Sequence, residues 1–201
     1  MVAAQGDAKA QVTLGFLYEK GRGVRQDYHK AREWYEKAAA QGFAGAQACL
    51  GILYDQGHGV QQDYHKAREW YEKAAAQGFA TAQLNLGTLY NHGRGVRQDY
   101  HKARELFEKA AVQGDALAQT CLGSTYEQGL GVRQDYRKAR EWYEKAAAQG
   151  DDLAQTYLGL MYEQGLGVRK NLATAKDWFG KACDNGNQTG CDYYARLNSS
   201  R

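Results

Sequence analysis

The chain has 201 residues, 43% of them apolar, with 24 glycines and no proline, enough to bury a sizeable core in one or two domains. A formal net charge of +3 demands no polyanion partner, and polyproline linkers are excluded. No run of 18 apolar residues occurs, so no membrane-spanning helix is expected.

Read from the start, Val2-Ala3-Ala4-Gln5-Gly6 matches the later Ala38-Ala39-Ala40-Gln41-Gly42. Residues 1–6 therefore read as the remnant of an upstream hairpin, with the true start further upstream and any signal peptide removed. From Asp7 a single unit repeats. Gly15, Gly51, Gly87, Gly123 and Gly159 lie 36 residues apart, as do Tyr18, Tyr54, Tyr90, Tyr126 and Tyr162. The stretch from Gln26 to Ala44 recurs unchanged from Gln62 to Ala80. Five units follow, 7–42, 43–78, 79–114, 115–150 and 151–186, and a shortened segment over 187–201 reads as a capping helix.

Within the first unit, Ala10, Leu14, Leu17 and Tyr18 fall on one face of a helix. Ala31, Trp34, Tyr35, Ala38 and Ala39 do the same for a second. Asp27 stands where an N-cap belongs and Gly42 where a C′ glycine belongs. Between them lies KGRGVRQD, whose two glycines permit a tight turn. Arg32–Glu36 and Glu33–Lys37 are spaced as i,i+4 ion pairs. One such hairpin cannot bury its apolar stripes alone, but stacked neighbours can. The glycine and Ala31 series are expected to let two helix backbones approach closely.

The repeat reads A-Q-x3-LG-x2-Y-x2-G-x-GV-x2-D-x2-KA-x2-WY-x-KAA-x2-G. It stands here as Ala46-Gln47, Leu50-Gly51, Tyr54, Gly57, Gly59-Val60, Asp63, Lys66-Ala67, Trp70-Tyr71, Lys73-Ala74-Ala75 and Gly78. At these residues the sequence resembles the Sel1-like repeat family, relatives of the tetratricopeptide repeats. Departures are small: Leu106-Phe107 replaces Trp-Tyr in the third unit, and Asn171 opens the second helix of the fifth. The resemblance implies an all-α solenoid, a right-handed superhelix of antiparallel helix pairs. It also implies adaptor-type roles in bacterial signalling, envelope assembly or host contact.

Cys183 and Cys191, spaced C-x7-C, resemble the cysteine-rich branch of the family, in which each such pair is a disulfide. A bridge there would pin the terminal helix and fit an oxidising compartment, periplasmic or secreted; two buried thiols and a cytoplasmic location are the alternative. A metal site is poorly supported, since no second pair or clustered histidine accompanies them. Cys49 and Cys121 lie two repeats apart. At about 10 Å per stacked hairpin they cannot reach one another, and they read as small apolar residues lining a surface or groove.

The first helices vary most at positions 9, 12, 13, 16 and 20 of the first unit and their equivalents, a single stripe. By resemblance to tetratricopeptide folds this stripe lines a concave groove. Neutral drift would fill a solvated face with polar residues, yet apolar ones recur here. The candidate partner-binding residues are Val12, Phe16, Ile52, Leu84, Asn85, Thr88, Leu117, Thr120, Ser124, Leu153, Tyr157 and Leu160. The expected ligand is a protein or peptide laid in the groove.

Other signals are weaker. His29, His65 and His101 are one repeat apart, too far to share a metal, and the Gly-x-Gly turns join helices rather than following a strand. Arg22, Arg25, Arg94, Arg97, Arg133, Arg169 and Lys170 occupy equivalent turns and read first as solubility, second as an anionic contact. No Ser/His/Asp or Cys/His arrangement is evident. The expectation is a non-enzymatic adaptor without cofactor or nucleic acid, monomeric, with end-to-end association conceivable at the upstream end. The rival is a small-molecule binder or a penicillin-binding, β-lactamase-like protein, as some cysteine-rich relatives are.

Overall fold

A computed structural model describes residues 6–199, in which every regular element is an α-helix. The expected upstream remnant lies, apart from Gly6, outside the described residues. The chain divides into two compact units, residues 1–99 and 100–201. The first holds α1 (Ala8–Lys20), α2 (Tyr28–Ala40), α3 (Ala44–Gln56), α4 (Tyr64–Ala76) and α5 (Ala80–His92). The second holds α6 (Tyr100–Ala111), α7 (Ala116–Gln128), α8 (Tyr136–Ala148), α9 (Asp152–Gln164), α10 (Leu172–Asp184) and α11 (Gln188–Ser199). Within each unit every helix packs on the next in sequence, first as a hairpin and then against the following repeat. This is an all-α solenoid of helix pairs.

Local chemistry sets the helix ends. The Asp27 carboxylate accepts the Lys30 N–H at 3.0 Å, and Asp135 accepts those of Arg137 and Lys138. At the other end Gly21 adopts φ 65° and returns its N–H to the Leu17 carbonyl. From the second repeat onward, the second glycine of the turn has a different task. A Cβ at Gly167 would lie 2.8 Å from the Tyr136 backbone, so this turn rests on the start of the preceding repeat's second helix. Two first helices begin without a cap: Phe43 and Phe79 precede α3 and α5, where Asp7, Asp115 and Asp151 cap α1, α7 and α9. Such a cap is typically worth about 0.5–2 kcal/mol.

The recurring glycine of the first helix is the seat of an aromatic ring. A Cβ at Gly15 or Gly123 would stand 2.6 Å from the ring of Tyr35 or Tyr143. The space left by the glycine is filled by the ring of the partner helix. Tyr35, Tyr71 and Tyr143 are fully buried, so each hydroxyl needs a partner. Tyr35 donates to Glu19 at 2.8 Å, Tyr71 to Asp55 at 3.2 Å and Tyr143 to Glu127 at 2.7 Å. Burial pushes all three hydroxyls above the ordinary tyrosine range, which keeps them protonated donors. In the fifth repeat the ring is Phe179, and Glu163 turns instead to Arg196 of α11 at 2.6 Å.

A buried glutamine then ties repeat to repeat. Gln119 accepts from the Gln149 amide at 2.9 Å and donates to the Ala111 carbonyl of the preceding repeat at 3.1 Å. Gln155 does the same with Asn185 and Ala147 at 3.0 and 3.3 Å. In the first unit Gln77 donates to Gln47 and Gln83 to Ala75. On the outer face Arg32–Glu36, Arg68–Glu72, Arg104–Glu108 and Arg140–Glu144 form the expected i,i+4 pairs. Lys37, expected to pair with Glu33, instead places its amine 4.1 Å from the Trp34 ring centroid.

Two outcomes follow from this core. Gly123→Ala should lower stability by about 1–3 kcal/mol through overpacking against Tyr143; an unchanged urea midpoint would contradict the ring seat. Gln119→Leu should cost about 1–3 kcal/mol by stranding buried polar groups. The double variant with Gln149→Leu should then lose less than the sum of the singles, by about 0.5–3 kcal/mol. Strictly additive losses would mean the two amides act independently.

Candidate partner-binding surface

The first helices α3, α7 and α9 are each flanked by their own second helix and by the second helix of the preceding repeat. Most of the circumference of each is therefore occupied. The varied stripe divides along its length into an inner edge taken up by packing between helices and an outer edge turned to solvent.

In the first unit, Phe16 is 38% exposed, with Lys20 and Arg22 5.8 and 5.5 Å from its ring centroid. Ile52, Asn85 and Thr88 are half-buried, the Thr88 hydroxyl donating to the Leu84 carbonyl at 3.0 Å. Val12 packs against the core around Tyr35. Leu84, at 5% exposure, is enclosed.

In the second unit, Leu117 and Leu153 are 46% and 44% exposed. Ser124 and Leu160 are half-buried beside them in the stripe. Thr120 is buried and donates to the Asp151 carboxylate at 3.0 Å. Tyr157 stacks on Tyr143 with ring centroids 5.0 Å apart. Thr120, Tyr157, Leu84 and Val12 thus belong to the inner edge and its packing. Phe16, Leu117 and Leu153 offer the largest apolar surface outward.

Cys183 and Cys191 are joined in a disulfide with Cα atoms 4.5 Å apart, linking α10 to α11. Cys49 and Cys121 are free and half-buried, and burial pushes both thiols up to about 11. His29, His65 and His101 are exposed, and His58 stacks on Tyr28 at 4.6 Å. Among the described residues no group of three or more His, Cys, Asp or Glu side chains could hold a metal ion. No described helix is long and apolar enough to cross a membrane.

The turn cations Arg22, Arg25, Arg94, Arg97, Arg133, Arg169 and Lys170 are all exposed. Arg133, Arg137 and Lys138 border a cleft of about 560 Å³ in the second unit, and Arg25, His29 and Lys30 border its counterpart of about 720 Å³ in the first. In each, the capping aspartate is already bound to backbone amides.

The glutamine series at 11, 47, 83, 119 and 155 stands in the repeat motif, but the motif does not predict its role as a tie between repeats. Its signal was present: a fixed polar residue inside an otherwise apolar face. At pH 8, a thiol at about 11 rather than 9 carries about a hundredfold less thiolate. Iodoacetamide should therefore leave Cys49 and Cys121 largely unlabelled in the folded protein and label both on unfolding. Rapid labelling of the native chain would contradict their enclosure.

A family model, Sel1 repeat, matches residues 8–43, 44–79, 80–115, 116–151 and 152–187. A protective antigen of uropathogenic Escherichia coli strains displaying an SLR fold is 42% identical with a TM-score of 0.89; the match covers 97% of this chain and 42% of that one. A Sel1 repeat protein from Oxalobacter formigenes is 36% identical with a TM-score of 0.90, covering 96% and 77%. Cysteine-rich protein B of Helicobacter pylori is 30% identical with a TM-score of 0.52, covering 68% and 98%. No curated protein matches the chain. The described chain thus spans less than half the length of the Escherichia coli antigen. With five consecutive matches over residues 8–187, the chain belongs to the Sel1 repeat family.

Proposed function

We propose that the chain is a protein-interaction scaffold that holds a protein or peptide segment along the outer edge of its first helices. One observation carries this reading: Phe16, Leu117 and Leu153 are exposed apolar residues at positions that change between repeats, whereas the repeated residues are consumed by packing. Exposed apolar side chains on a rigid helical face supply the desolvation that drives protein association. The partner contacts are Phe16, Ile52 and Thr88 in the first unit, and Leu117, Ser124, Leu153 and Leu160 in the second. Val12, Leu84, Asn85, Thr120 and Tyr157 shape the floor beneath them.

The scaffold acts outside the cytoplasm of a bacterium, in the envelope or in host contact. The Cys183–Cys191 disulfide supports this, as does the likeness to a protective antigen. Affinity capture from the source organism, comparing wild type with a Phe16→Glu, Leu117→Glu, Leu153→Glu variant, tests it. A partner held by the wild type and lost by the variant at unchanged circular dichroism is the expected result. Equal capture by both would exclude this edge as the site.

A further inference from the structure

The disulfide occupies a register that has a different occupant everywhere else. In the second unit, Gln119 donates to the Ala111 carbonyl and Gln155 to the Ala147 carbonyl. One repeat further, 36 residues on, the glutamine position is Cys191 and the alanine position is Cys183. The hydrogen bond that ties α7 and α9 to the preceding repeat is thus replaced, for α11, by a covalent bond.

The helix so tied has little else to hold it. α7 buries seven residues and α9 six, but α11 buries Gly190 alone. Its remaining contacts are at the rim. Tyr193 meets Phe179 at 4.9 Å between centroids, Arg196 pairs with Glu163, Lys176 donates to Asn198, and Asn187 donates to Asp152. The exposed polar pairs among these contribute little, and a helix of 12 residues does not persist on its own.

We propose that Cys183–Cys191 is a thiol-operated catch on the terminal helix: oxidised, it holds α11 over the last full repeat; reduced, it releases α11 and uncovers the Phe179 face. The reductant is a dithiol. One of its sulfurs attacks the bridge and forms a mixed disulfide while the Cys183–Cys191 bond breaks. Its second sulfur then displaces the remaining cysteine, so the reductant leaves as a cyclic disulfide and both cysteines become thiols. Cys191 cannot then resume the glutamine's role, because a thiol lacks the amide that reaches the neighbouring carbonyl. The other interfaces, tied by Gln119 and Gln155, are indifferent to reductant.

Hydrogen exchange of the α11 amides, with and without dithiothreitol, tests the catch. Reduction should speed exchange over residues 188–199 by about tenfold or more while α7 and α9 stay protected. A Cys183→Ala/Cys191→Ala variant should exchange fast in both conditions. A Cys183→Ala/Cys191→Gln variant, which restores the pair used by the other repeats, should be slower than the double alanine and unmoved by dithiothreitol. Unchanged α11 protection with both thiols shown to be free would overturn the proposal. So would a glutamine variant that exchanges as fast as the double alanine.

Discussion

An aromatic ring can lie flat against a helix only where that helix carries no side chain, and the rest of each repeat is arranged around this contact. Gly15, Gly51, Gly123 and Gly159 leave the space, and Tyr35, Tyr71, Tyr143 and Phe179 fill it. With the ring fixed, the two helices of a hairpin have one separation and one rotation. The buried alanines at 31, 67, 139 and 175 then fit where larger residues would not. Burying a tyrosine brings its hydroxyl into the core, and that demands an acceptor. Glu19, Asp55 and Glu127 supply it from the end of the first helix. Where the hydroxyl is absent, at Phe179, the acid is free for another use and binds the terminal helix through Arg196. Ring identity and acid partner change together, as a physical dependence requires.

The second dependence runs between repeats. A solenoid contact made only of apolar surface would tolerate sliding. The glutamine series prevents it, because a buried amide with two defined partners has one good register. The turn glycines contribute by shape: Gly131 and Gly167 rest on the backbone of Tyr100 and Tyr136, where a side chain would not fit.

Much of this architecture was legible in the residues. A 36-residue period, helical spacing within it, and caps at Asp27 and Gly42 sufficed for the hairpins and their order. The terminal disulfide followed from the family resemblance of its spacing. Less legible was which side of a first helix meets the preceding repeat. A helical wheel places Val12, Phe16, Leu84 and Thr120 on one stripe, since it knows only the helix they belong to. The neighbouring hairpin takes Leu84 and Thr120 into the interior and leaves Phe16 at the surface. The glutamine tie was hidden for a related reason: its partners are 8 and 30 residues away, beyond any local pattern. Lys37 shows the same limit, its spacing suiting Glu33 while the Trp34 face claims it.

The inner edge of the varied stripe has a consequence for how such a chain finds its fold. The helices α2 and α4 are identical in sequence, so their faces are interchangeable to any helix that docks on them. A chain that skipped a repeat during folding would meet a surface it could not tell from the right one. Degeneracy of this kind is lifted only by the docking partner. There α3 brings Ala48 and Cys49, and α5 brings Leu84 and Asn85. Their unequal sizes label interfaces that the second helices alone would leave anonymous, so variation on this edge is how a repetitive sequence counts its own repeats.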